Sequence, residues 1–225
     1  MDYESPWLPR SLSALCYPPQ KCPPGVASSR SLRLESLGVV GVCSLGETEI
    51  QHGGEPLRIV GKGHSAVVVA VVARWSPLPL ALKVRRCDSK RASLRGEGRA
   101  LELASRAGVA PRAYYYDDDL LLMDYLGPVR LETILDGWPA GAVADALVGA
   151  LRASRALDAA HLLHEELHRP YRNFVYPGWP RSATAMIVDL ESATSGCGNV
   201  NKLVSFVYSR VLGARVPEEL RGLLR

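Results

Sequence analysis

Two stretches of this chain carry residue types that could do chemistry, and they imply different reactions. In "HLLHEELHRPYRNF", residues 161–174, His164, Glu165 and His168 match HExxH letter for letter. On an α-helix that spacing sets two imidazoles on one face for zinc with a carboxylate base beside them, the layout of a metallopeptidase. Glu191 lies downstream as a formal third ligand, and His161 adds an imidazole on the same face. The plainer reading is that HExxH strings arise often by chance, that Pro170 breaks the helix just after His168, and that cationic side chains suit a helix C-terminus.

The second stretch is "VGKGHSAVVV", where Gly61, Gly63 and Ser65 make a turn between apolar runs. Such a turn leaves backbone N–H groups able to approach a phosphate with no side chain in the way, although a tight hairpin alone would also account for it. Strands flank it on both sides, which excludes the usual context of a Rossmann or Walker loop. Further along, "ALKVRR" places Lys83 inside an apolar strand, although lysine is scarce here, one of only five. Such a lysine would otherwise be expected on a solvated edge, and glutamates on the next helix would otherwise be solvated charges paired with Arg three or four residues away. Glu97 and Glu102 on the next helix are available to hold Lys83, Glu97 the better placed.

The elements that must position these groups follow from periodicity. "LRIV", "AVVVAVVAR" and "LALKVRR" read as three successive strands of an antiparallel meander, and residues 89–108 as a helix stopped by Gly108. "AYYY", the turn "DDD" and "LLLMDYL" form a hairpin. Residues 141–167 are rich in Ala and Leu and predict the longest helix, or a helix pair, closed by Pro170. "NFVY" and "AMIVDL" then give two short strands before a terminal helix over 201–213. Residues 1–27 hold six prolines and predict an extended arm, and residues 30–57 a short helix ending near Gly38 and a strand.

Taken in order, "VGKGHSAVVV", "ALKVRRCDSKRASLRGEGRALELASRAGVAPR", "LLLMDYLG", "HLLHEELHRPYRNFVY" and "AMIVDLESAT" resemble the small archaeal protein-kinase-like proteins, related to RIO kinases and to the kinase subunit of the KEOPS complex. The resemblance spans about residues 57–195. It implies an α+β, protein-kinase-like bilobal fold: an N-terminal arm and cap at 1–57, a small antiparallel sheet lobe with one helix at 58–126, and a reduced helical lobe at 127–225. It also implies ATP and Mg²⁺ as ligands. The Gly61, Gly63 and Ser65 turn would cover the phosphates, Lys83 would contact the α and β phosphates, and Glu97 would orient Lys83. The backbone of Asp124 and Leu126 would meet the adenine edge, with Met123 behind it. Asp189 stands where the metal-binding DFG aspartate stands.

Departures from the pattern are as informative. Glu166 occupies the place of the catalytic Asp, and misplacing a carboxylate by near 1 Å costs on the order of a hundredfold. Tyr171 stands at the spacing of the metal-binding Asn, and Asn173 lies two residues on. Glu191 replaces the DFG glycine, and only 36 residues follow Asp189, too few for an activation segment and a full set of substrate-lobe helices. The reading is therefore an ATP-dependent phosphotransferase resembling serine/threonine protein kinases, with a nucleotide- or partner-binding pseudokinase as the alternative and a zinc metallopeptidase behind both. The phosphate acceptor, a protein or a small molecule, is not legible.

Composition bounds these readings. The chain has 225 residues, 47% of them hydrophobic, and a net charge of +4 without a basic run, so nucleic acid is not indicated. The longest apolar run is too short for a membrane span, and no secretory leader is legible. Five cysteines without a CxxC pair favour a reducing, cytoplasmic location.

Overall fold

In the computed structural model, residues 14–50 and 56–212 are described. They form a mixed α+β architecture, with a sheet-plus-helix region first and a mostly helical region after it. The chain divides into two compact units, residues up to 99 with 112–125, and 100–111 with 126 onward.

The first unit contains α1 (Val26–Ser36), β1 (Val39–Cys43), β2 (Thr48–Ile50), β3 (Leu57–Ile59), β4 (Gly61–Lys62), β5 (Ala66–Ala73), β6 (Leu80–Arg85), the start of α2 (Arg95–Arg106), β7 (Ala113–Tyr116) and β8 (Leu120–Asp124). Its main sheet runs β1-β5-β6-β8-β7, with β4 paired to β5. β5 consists of Val and Ala alone, its β-branched Val side chains suited to a pleated surface, and it lies inside the sheet with Val67, Val69 and Val71 in the core. Leu15 and Leu34 from the N-terminal segment and α1 join that core.

The hairpin turn between β7 and β8 explains itself locally. Asp117 Oδ1 accepts from the N–H of Asp119 at 2.7 Å and of Leu120 at 2.8 Å, an Asx-type turn. Asp119 then takes Arg30 and Arg33 from α1 and Arg85 from β6. Burial raises the Asp119 carboxyl, but the Arg30, Arg33 and Arg85 guanidinium groups outweigh it and hold it down at about 2.

The expected meander is corrected at its first strand. "LRIV" pairs as β3 with β2, Ile59 facing Thr48, and only Gly61 and Lys62 pair with β5, opposite Val68 and Val67. The reason lies at Gly46, at φ 127°, where a Cβ would fall 2.0 Å from the Ile59 carbonyl oxygen. That close approach seats the two short strands on each other. The N-terminal arm is corrected too: 19–21 is a 3₁₀ turn and α1 begins at Val26, while residues 1–13 lie outside the described residues.

The second unit contains the rest of α2, then α3 (Leu131–Gly137), α4 (Ala140–Ala159), β9 (Leu162–His164), β10 (Phe174–Val175), β11 (Met186–Ile187), β12 (Ala193–Ser195) and α5 (Asn199–Phe206). Its buried residues include Ile134, Leu157, Phe174, Ile187, Leu203 and Phe206. The helix expected over 141–167 ends at Ala159 instead. His161 turns left-handed at φ 52°, and "LLH" extends as β9 to pair with β12, Ala193 facing His164. No Gly or Pro marks this break. Strand pairing overrides the helical propensity of an Ala and Leu run.

Candidate functional site

In the sheet unit, Lys83 sits in the middle of β6, opposite Val68 on one side and Leu121 on the other. Its side chain is only 8% exposed. Glu97, in the first turn of α2, is 3% exposed, and its Oε1 accepts from Lys83 Nζ at 2.7 Å. Its other oxygen accepts from Arg91 at 3.0 Å. Position in the first helical turn favours the carboxylate, because the helix N-terminus carries partial positive charge. Gly98, the next residue, lets α2 lie against β7: a Cβ there would fall 2.2 Å from the Tyr116 ring. Arg91 and Gly98 had no signal in the sequence, since one sits in the loop before the helix and the other is one of two glycines, Gly96 and Gly98, in its first turn.

Two charges taken out of water cost several kcal/mol each, and mutual attraction returns that only with close geometry and further hydrogen bonds. An apolar pair would serve packing as well or better. A lysine held this way presents a fixed cationic group, suited to an anion.

The glycine turn of the same unit is pinned by Arg86. Arg86 donates through Nη1 to the Gly63 carbonyl at 2.9 Å, and its backbone N–H donates to Ser65 O at 2.9 Å. Gly63 N–H closes the turn on Ala66 O at 2.9 Å. Neither Gly61 nor Gly63 is among the residues with positive φ. Strain therefore does not explain these glycines; the absence of side chains at the turn is what they supply.

At the end of β8, Asp124 accepts on its carboxylate from the Arg112 N–H at 3.0 Å and the Tyr114 hydroxyl at 2.7 Å. Its own N–H donates to Arg112 O at 3.1 Å, so that donor is already used within the sheet unit. Leu126 follows, half-buried, in the second unit. Glu102, the alternative partner for Lys83, lies half-buried on the later part of α2, which belongs to the second unit.

In the helical unit, β9 and the β10–β11 hairpin bring a second set together. His164 is fully buried; its N–H donates to Asn199 Oδ1 at 2.8 Å, and its Nδ1 accepts from the Glu166 N–H at 3.3 Å. Nε2 lies 3.4 Å from Val188 O and 3.3 Å from the Asn173 amide. Burial lowers the His164 pKa, ahead of the opposing pull of Val188 O and of Asp189, so the neutral ring is favoured. Asn173 O accepts from Val188 N–H at 2.9 Å, which sets Asn173 across from the residue that precedes Asp189. Asp189 is exposed and left-handed, φ 63° and ψ 55°. Tyr171 instead turns its ring edge to Phe206, centroids 5.0 Å apart. Of the two residues weighed for the amide role, the hairpin register brings Asn173 to the Asp189 segment.

Glu166 is exposed within the 3₁₀ turn Glu165–His168, and Glu191 is exposed just after Asp189. Asp158 and Asn199, both unread in the sequence, lock this unit. The Asp158 carboxylate accepts from the N–H groups of Gly198, Asn199 and Val200 at the start of α5. Burial raises its pKa, but those three donors, Asn199 and Val200 first, bring it below the usual range. Beside the Glu165–His168 turn, an open cavity of about 650 Å³ is lined by Arg169, Tyr171, Lys202, Phe206 and Arg210 among others, a basic cleft.

The zinc reading is corrected by these contacts. "HEELH" is not α-helical: His164 ends a strand and His168 lies in a 3₁₀ turn, exposed, with Nδ1 3.0 Å from Glu165 O. Glu165 pairs with Lys202 and accepts from Thr194 at 3.3 Å. None of His161, His164 and His168 belongs to a cluster of three metal-ligating side chains among the described residues. For Mg²⁺, a hard cation that takes oxygen donors and keeps several waters, the Asp189 carboxylate and the Asn173 amide are donors of the right chemistry.

No protein-family model matches the chain, and no curated protein matches it significantly. Among the described residues no helix is long and apolar enough to cross a membrane.

Proposed function

We propose that this chain is an ATP-dependent phosphotransferase with a protein-kinase-like fold, similar to the small archaeal kinase-like proteins, that passes the γ-phosphate of ATP to a hydroxyl. The observation that carries the reading is the buried pair of Lys83 and Glu97, 2.7 Å apart. Phosphoryl transfer asks a protein for positioning and charge neutralisation more than for covalent chemistry, and a fixed lysine supplies both. In this reading the side-chain-free turn at Gly61, Gly63 and Ser65 covers phosphates, and the Asp124–Leu126 backbone meets the adenine. Asp189 and Asn173 would hold Mg²⁺, which when bound neutralises charge on the phosphate oxygens. Glu166 would accept the hydroxyl proton.

A second reading, a nucleotide- or partner-binding pseudokinase, is favoured by Glu166 standing where an Asp is expected and by Tyr171 packing on Phe206. One experiment separates them. The purified full chain is incubated with radiolabelled ATP and Mg²⁺ beside Lys83→Ala, Asp189→Ala and Glu166→Ala. Label transfer lost in all three supports the phosphotransferase. ATP binding without transfer by the wild type supports the pseudokinase, and absence of ATP binding overturns both.

A further inference from the structure

Three cysteines outside the proposed site converge in the sheet unit. Cys16 and Cys22 form a disulfide, with Cα atoms 5.5 Å apart, a separation usual for such a bridge. Cys87, just past the end of β6, is a free thiol, and its sulfur lies within 4.8 Å of both bridged sulfurs. All three are half-buried. Backbone contacts fix the approach: the Cys87 N–H donates to Tyr17 O at 2.7 Å, between the two bridged positions in sequence. Arg30 is 1% exposed and donates to Leu15 O at 2.7 Å, and its guanidinium also faces the Cys87 sulfur. Burial pushes the Cys87 thiol up and the Arg30 guanidinium pulls against it without overcoming it, so proximity of the three sulfurs, not a favoured thiolate, is what the site supplies.

We propose that Cys16, Cys22 and Cys87 form a thiol–disulfide exchange site, in which the Cys87 sulfur displaces one sulfur of the Cys16–Cys22 bridge. Cys87 gives its proton to solvent and its sulfur electron pair forms the new S–S bond. The old S–S bond breaks, and the displaced cysteine leaves as a thiolate that takes up a proton. One disulfide is exchanged for another, so no outside oxidant or reductant enters the step. The cross-link moves from a local loop of the N-terminal segment to a tie between that segment and the strand that carries Lys83.

Trypsin separates the three cysteines, because Lys21, Arg86 and Lys90 set Cys16 in peptide 11–21, Cys22 in 22–30 and Cys87 in 87–90. The full chain, purified without reductant, is equilibrated in a glutathione buffer, alkylated, digested and mapped by mass spectrometry without reduction. Peptide 87–90 is expected in a disulfide with 11–21 or 22–30, alongside the 11–21/22–30 pair. In Cys22→Ser, Cys87 is expected to lose alkylation at least tenfold as a Cys16–Cys87 bridge forms, while Cys43 and Cys197 stay alkylated. Full alkylation of Cys87 in the wild type and in Cys22→Ser overturns the proposal; the wild-type map alone decides if the variant fails to fold. Stoichiometric zinc in the reduced wild type that is lost in Cys87→Ser also overturns it, in favour of a thiolate metal site.

Discussion

In the sheet unit the candidate pair of Lys83 and Glu97 is buried, while in the helical unit the candidate carboxylates Glu166, Asp189 and Glu191 are exposed. Lys83 and Glu97 are both under 10% exposed and 2.7 Å apart, and Arg30, 1% exposed, is closed on Asp119 at 2.9 Å. Glu166, Asp189 and Glu191 are exposed. A buried pair fixes a group in place at a cost in desolvation, whereas an exposed carboxylate keeps the hydration that a hard cation exchanges on binding. The two units thus present different groups: one a rigid, buried cation, the other exposed oxygen donors.

The largest effects are expected where that difference is chemical. Lys83→Met and Asp189→Ala should each lower label transfer from ATP by about 10²–10³-fold, the loss typical for one preorganised charge-stabilising group. Transfer within tenfold of wild type in either would remove that residue from the reaction. Glu166→Gln should cost about 10²-fold if the carboxylate accepts the proton, and a Glu166→Asp variant as active as wild type, or more so, would show that a carboxylate in this place works at either length.

Stability sharpens the comparison next. Asp119→Ala leaves buried Arg30 without its carboxylate and should destabilise the fold by about 3 kcal/mol in urea unfolding. The double variant Lys83→Leu, Glu97→Leu removes both charges together, and its unfolding free energy should stay within about 1 kcal/mol of wild type while transfer is lost. If the double variant is as unstable as Asp119→Ala, the Lys83–Glu97 pair is structural, and its weight as the sign of a phosphate site falls.

How far the sequence could be read follows the same division. Lys83 and Glu97 were legible through the order of the motifs around them, a glycine turn, a strand lysine and an acid on the next helix, since either residue alone would pass for a solvated charge. The β7–β8 hairpin was legible from its Asp turn. The break after Ala159 was not, because "HLLHEEL" keeps helical composition and its extended form depends on pairing with β12 and on Asn199, far away in sequence. Asn173 was weighed against Tyr171 by spacing alone, and only the β10–β11 register, which sets Asn173 against Val188, separates them. The Cys16–Cys22–Cys87 cluster escaped for the same reason: Cys87 reaches the other two through the fold, without a local motif.

His164 offers the smallest effect and tests the helical unit from inside. It is the buried, neutral counterpart of the exposed carboxylates around it: burial first, with Lys202 on the same side, favours the neutral ring over the opposing pull of Val188 O, Asp189 and Glu165. Its folded pKa therefore lies below the unfolded value of about 6.5, so the unfolded chain binds the extra proton as pH falls. The contribution of His164 to stability is complete above about pH 6.5 and is lost progressively below it, with a slope no steeper than about 1.4 kcal/mol per pH unit. His164→Gln should flatten the stability profile between about pH 6.5 and 5 relative to wild type, measured by urea unfolding at each pH. Two parallel profiles would mean that the ring is protonated alike in both states, and that burial does not hold it neutral.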